Sequence, residues 1–204
     1  NGIYETEYYT ENVHYKNNGI WEEIDNSLIL YDNNYKNKNN RFSVSLPSKL
    51  KGDEKVVINY NNNELKIYYD NISEITGKLN GDTNRNRKNL KDKIEYKKSN
   101  SEVIEYIIKQ DSIKENTILN EYIPNYTFSY YIDTFLRIER IGNKLYFFND
   151  KDIIYVMNDY YMYDSLNSIS TDIDYYISVI DNDTYKIDVI VSDEYLKTAA
   201  YPVV

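Results

Sequence analysis

A hydrophobic period of two, carried by short segments that end in Asn, Asp, Gly or Ser, constrains this chain most. In "RFSVSLP" the apolar residues Phe42, Val44 and Leu46 alternate with polar ones. "KVVINY" and "ELKIYYD" flank "NNN" as the two arms of a hairpin. The pattern continues through "EVIEYIIKQ", "KENTILNEY", "YTFSYYIDTFLRIERI", "KLYFFND", "IIYVMND", "DYYISVI" and "TYKIDVIVS". Between them stand Gly142-Asn143, Asn149-Asp150 and Asn182-Asp183, residue types that adopt left-handed turn geometry or cap turns with their side chains. About a dozen such strands predict an all-β fold, an antiparallel multi-stranded sandwich of stacked sheets. Helix is expected at most once or twice. The best candidate is "SDEYLKTAA", with Ser192 as N-cap and Glu194 in the first turn.

The 25 tyrosines explain how so polar a chain can build sheets. Mean hydropathy is −0.71 and hydrophobic residues make up 41%. Tyr buries its ring and keeps its hydroxyl hydrated, so half-buried strands score as polar. With 204 residues the chain suits one β-rich module over 1–204 that buries about 70% of its unfolded surface. "ITGKLNGDTNRNRKNLKDK", Ile75 to Lys93, shows the weakest periodicity. It predicts a flexible polar loop over 77–92, joining halves of about 1–76 and 93–204. Tyr-Asp pairs begin at Tyr31, Tyr69 and Tyr163 without a fixed period, so they form no repeat array.

A net charge of −9 disfavours nucleic acid and anionic lipid as bulk partners. The one basic stretch, "NRNRKNLKDKIEYKK", lacks interleaved aromatics and reads as a solvated loop. No run approaches the roughly 18 apolar residues of a membrane span, so no membrane insertion is expected. Cysteine is absent, which excludes disulfides, thiolate metal sites and Cys nucleophiles. The chain starts at Asn1 and ends on the strand-like "TAAYPVV", as expected of an excised or processed piece of a longer polypeptide.

Catalytic motifs are lacking. A Ser-His-Asp triad would need His14, the only histidine, which sits between Val13 and Tyr15 in an alternating stretch and reads as a surface residue. A pair of glycosidase carboxylates can hide among 33 acids, and sequence does not say which ones meet. "DNDTYKID" and "NDKD" resemble calcium ligand runs but lack the EF-hand spacing, and both read as turns. No catalytic residue, metal ligand or cofactor is assigned. The aromatics offer one binding option: Trp21, Tyr160, Tyr161 and Tyr163 as platforms for sugar rings. The competing reading makes tyrosines cross-strand pairs and Trp21 a core anchor. Trp21 lies in "VHYKNNGIWEEIDNSL", a hairpin around Asn17-Asn18-Gly19 with Asp25-Asn26 expected to end its second strand.

The order of five motifs carries a resemblance. "ENVHYKNNGIWEEIDNSL" resembles the hairpin near the start of wall-associated YD-repeat (RHS-type) and DNRLRE-domain surface proteins of Gram-positive bacteria. "NRFSVSLPSKL" is similar to the strand and turn that follow it there. The segment "KIEYKKSNSEVIEYIIKQDSIKENTILNEY", with Lys114, Glu115 and Asn116, resembles a further one. So do "NDKDIIYVMNDYYMYDS", through Met162, Tyr163 and Asp164, and "EYLKTAAYPVV". Departures from the pattern are Glu105 in place of Asp, Asn158 and Tyr160 in place of prolines, and Tyr195 in place of Trp. A terminal Ile-Asp-Pro is also missing. The resemblance implies a non-catalytic, extracellular, cell-wall-associated β-sandwich module of a large surface protein, serving as scaffold or interaction surface. Other segments of the same polypeptide, cell-wall polysaccharide or host glycan would be its partners. A carbohydrate-binding module is the alternative it leaves open.

Overall fold

The computed structural model describes residues 12–69, 72–81 and 91–204, which form twenty β-strands and one short helix. All the strand pairings are antiparallel. The largest sheet has eight strands. Its order is Ile173–Val179, Thr184–Val191, Thr127–Asp133, Asn63–Tyr68, Val56–Tyr60, Ser43–Pro47, Asn34–Asn39 and Asp25–Tyr31. A five-stranded sheet runs Ile113–Leu119, Glu102–Ile108, Lys93–Lys97, Ile75–Asn80 and Lys49–Leu50. Arg137–Ile141, Lys144–Asn149 and Asp152–Met157 make a three-stranded sheet, and two small hairpins complete the fold. The expected all-β sandwich architecture is the one observed.

One core joins the sheets. Val44, Leu46, Val56, Ile67, Ile132 and Ile187 come from the large sheet, Ile94, Tyr96, Ile104, Tyr106 and Ile108 from the five-stranded one. Leu145 and Phe147 come from the three-stranded one. The period of two sets this sorting: in Lys93–Lys97 only Ile94 and Tyr96 are buried, alternating with half-buried and exposed neighbours. A second, smaller cluster of Leu119, Tyr126, Met162, Leu196 and Val203 sits around the helix. Most inward tyrosines are accommodated because their hydroxyls find partners, the buried Tyr175 hydroxyl being an exception among the described residues. Tyr96 donates to the Pro47 carbonyl at 2.6 Å, Tyr155 to that of Asn63 at 2.6 Å and Tyr201 to that of Leu196 at 2.7 Å. On the solvent side of the large sheet Tyr68 stacks on Tyr131 with centroids 5.1 Å apart, and Lys55 lies over Tyr68 while pairing with Asp133.

Two chain halves do not segregate. Asn63–Tyr68 is flanked in the large sheet by Thr127–Asp133, and Ile75–Asn80 pairs with Lys93–Lys97. The loop expected over 77–92 therefore begins too early: Gly77 to Asn80 are strand, and Asp92 is buried. Residues 82–90 lie outside the described residues. Periodicity failed here because Gly77 occupies the inward position where an apolar side chain would announce a strand. A Cβ there would lie 2.6 Å from Ile94 Cδ1 and 2.9 Å from Tyr96 Cε1, so the site has no room for one.

The two Asn-rich turns form as expected. Asn17 pairs with Ile20 across Asn18 and Gly19, whose φ angles are 47° and 90°. Tyr60 pairs with Asn63 across Asn61 and Asn62, with φ of 51° and 62°. Both are two-residue turns in the left-handed region that hairpins favour. Asp25-Asn26, expected to end the second strand of the first hairpin, instead opens Asp25–Tyr31, because Ile20–Glu23 stops two residues earlier. The helix spans Asp193–Thr198 with Ser192 as its N-cap, accepting from the Tyr195 amide. Beyond it the chain returns to the sheets. Val203 and Leu119 exchange two backbone bonds, at 2.8 and 2.9 Å, and Val204 and Tyr163 exchange two at 2.9 Å. Asp164 clamps the same region, accepting from the amides of Leu166, Ser168 and Ala200. These three donors hold its carboxyl below the usual carboxylate range.

Candidate functional site

Between the inward face of Thr127–Asp133 and the edge strand Ile113–Leu119 lies a cleft of about 660 Å³. The segment from Met157 to Tyr163 closes its side. One wall is an aromatic row: the rings of Tyr126 and Phe128 are 6.0 Å apart, and those of Phe128 and Tyr130 are 6.4 Å apart. Ile58, Leu65, Ile67 and Phe147 extend it. A volume of this size with apolar walls and a few polar groups is typical of small-ligand sites.

The polar group that matters is Glu115. Register places it in the cross-strand row Leu79, Ile94, Tyr106, Glu115, on the face that its neighbours use for core. The residue is half-buried and borders the cleft, with its carboxyl largely withdrawn from bulk water. Tyr69 donates to Glu115 Oε1 at 2.5 Å, and the Tyr69 and Tyr106 hydroxyls are 2.5 Å apart. Tyr130 and Tyr160 share a second short hydroxyl contact beside the Met157 sulfur. Burial raises the Glu115 carboxyl above the ordinary range, and hydrogen bonds from Tyr69 and Tyr106 offset part of that rise. Burial together with the nearby Glu115 carboxyl raises the Tyr69 and Tyr106 hydroxyls far above the usual tyrosine value, so both stay protonated donors.

This arrangement has a pH signature. The carboxyl titrates higher in the folded state than in the unfolded one, so between those two values the folded protein holds the extra proton. Its favourable contribution is complete below the unfolded value and is lost as pH rises through the folded one. Glu115→Gln removes that dependence. The variant's melting temperature should therefore gain on wild type as pH rises from about 4, the ordinary carboxylate value, through the raised folded-state value. A constant difference across that range would show that the carboxyl is not buried as described.

The four aromatics proposed from sequence do not form one platform. Tyr160 is half-buried and turned to Tyr130 inside the cleft. Tyr161 and Tyr163 stack at its rim with centroids 6.3 Å apart, and Lys114 Nζ lies 5.6 and 5.4 Å from them. Trp21 belongs to the separate hairpin of His14–Asn17 and Ile20–Glu23 and does not line the cleft. It is 67% exposed, which corrects its reading as a core anchor. The reason is the register: Tyr15 and Glu22 face the sheet, where Tyr15 donates to Asn39 at 2.6 Å, and Trp21 opposite Lys16 takes the other face. Instead of the roughly 3–5 kcal/mol of a core aromatic, Trp21→Ala should change stability in urea by no more than about 0.5 kcal/mol.

Glu115 was visible in sequence only as part of a motif, with no role assigned. The signal that singles it out is an acid in register with Ile113, Thr117 and Leu119 in an alternating strand. The aspartate runs behave as turns: Asp181 Oδ1 accepts from the Asp183 amide at 3.0 Å. Among the described residues no cluster of three or more His, Cys, Asp or Glu is arranged to hold a metal, and no helix is long and apolar enough to cross a membrane. Comparison of the chain with protein-family models, curated proteins and solved structures finds no match.

Proposed function

We propose that the chain is a non-catalytic binding module of an extracellular, wall-associated surface protein, with the cleft between its sheets as the ligand site. The cleft itself carries the reading: about 660 Å³ bounded by an aromatic row, with one carboxyl set among tyrosine hydroxyls. The location rests on the likeness of five ordered motifs to wall-associated proteins. The non-catalytic part of the reading rests on the same likeness, which supplies no catalytic residue. Glu102, the other inward carboxylate of the five-stranded sheet, does not line the cleft: it pairs with Leu119, about 13 Å of strand from Glu115, and is held by Tyr126 at 2.7 Å and Lys98 at 2.9 Å. The other acids that line the cleft are Asp111 and Asp159.

A second reading is glycan contact at the surface, favoured by the exposure of Trp21 at 67% and Tyr161 at 49%. Co-sedimentation with purified Gram-positive cell wall separates the two. Under the cleft reading, Thr117→Trp, which fills the cleft from its edge strand, loses pelleting and Trp21→Ala keeps it. The opposite result moves the site to the hairpin. No pelleting of wild type at low or high salt removes the wall as the partner.

A further inference from the structure

We infer that the cleft selects an organic cation, a ligand whose alkylated ammonium group sits against Glu115 and the aromatic row. This deepens the binding-module reading and rests on it. Three observations converge on it.

The first is the company Glu115 keeps. Its carboxyl group has capacity for about four hydrogen bonds, and the protein supplies those of two tyrosines. No Lys or Arg among the described residues pairs with it. The titratable groups around it are Tyr69 from the segment after Asn63–Tyr68, Tyr106 from Glu102–Ile108, Tyr126 and Tyr130 on the facing wall, and Tyr160 from the closing segment. These five are neutral hydroxyls; the charged groups elsewhere on the cleft lining are Arg41, Lys109 and Lys114 and the acids Asp111 and Asp159, and none of the cations pairs with Glu115. A desolvated carboxylate at the cleft wall without a paired cation is costly, and an incoming cation relieves that cost. A purely apolar ligand would leave it unpaired, and an anion would repel it.

The second is the aromatic row itself. Tyr126, Phe128 and Tyr130 line the wall facing Glu115's strand. Aromatic rings attract ammonium groups through the negative face of the ring, most strongly where water is excluded.

The third is that the rim already holds such a group. Lys114 Nζ sits 5.6 and 5.4 Å from the centroids of Tyr161 and Tyr163, one position before Glu115 in the same strand. The chain's net charge of −9 adds long-range attraction for cations.

The test titrates the full chain with tetramethylammonium chloride, with tert-butyl alcohol as an uncharged probe of similar bulk, and with N-acetylglucosamine as a neutral polar probe. Binding is followed by nuclear magnetic resonance shifts of the tyrosine rings. Tetramethylammonium is expected to bind at least about tenfold more tightly than tert-butyl alcohol at neutral pH. The preference should shrink on acidification, as the carboxyl takes up a proton. Glu115→Gln, whose fold is checked by circular dichroism, should abolish the preference and keep tert-butyl alcohol binding. Equal binding of the two small probes, or a preference for N-acetylglucosamine, overturns the cation inference and leaves the cleft as a site. Failure of all three probes to shift the cleft tyrosines overturns both readings.

Discussion

Phe147→Ala is expected to cost about 3–5 kcal/mol of folding free energy, read as a lower urea midpoint at unchanged slope. Phe147 is 1% exposed and stands on the middle strand of the three-stranded sheet. Its ring meets Tyr155 edge-on with centroids 6.3 Å apart, and Tyr155 in turn bonds the Asn63 carbonyl of the large sheet. Truncation removes both the buried ring and the packing that ties this sheet to the core. Phe148 points the other way, half-buried under Arg137 at 4.6 Å. Phe148→Ala should cost less than about half as much. A larger loss at Phe148 than at Phe147 would overturn the inward and outward faces assigned to this strand.

Gly77→Val should destabilise by about 3 kcal/mol, the upper range for overpacking a filled core. The new Cβ would fall within 3 Å of Ile94 Cδ1 and Tyr96 Cε1. Both side chains are fully buried, and the Tyr96 ring is pinned by its bond to Pro47, so neither has space to retreat. Gly77→Ala should show a smaller loss of about 1–2 kcal/mol. Lys78→Ala next to it, on the exposed face, should stay within about 0.5 kcal/mol of wild type. Equal effects at 77 and 78 would mean that the strand Ile75–Asn80 is not seated against Lys93–Lys97 as described.

Legibility varied with how locally each feature is encoded. The hairpins at Asn18-Gly19 and Asn61-Asn62 were readable because a positive φ is a property of one or two residues. The helix after Ser192 was readable from its cap. Ile75–Asn80 was missed because its decisive inward residue is a glycine, which leaves no mark on a hydrophobic pattern. Trp21 was read as a core anchor from its place among the apolar positions of the hairpin, while its real position follows from which hairpin face meets Asn39. The candidate site was the least readable part. Glu115 and Tyr106 are nine residues apart and meet across a strand pair, but Tyr69 arrives from 46 residues away.

The sequence by itself determined the all-β class, the turn geometry and the sorting of apolar residues to one side of most strands. These follow from backbone preferences and from the two-residue pleat, which act within a few residues. Only the tertiary structure decided the order of strands within the sheets, the interleaving of the two chain halves and the position of the cleft. Many short strands of similar pattern can pair in many orders. The choice among them is made by side-chain packing between sheets, as where Gly77 admits Ile94 and Tyr96 and where Glu115 meets Tyr69. Such contacts join residues far apart in the chain, and no local pattern records them.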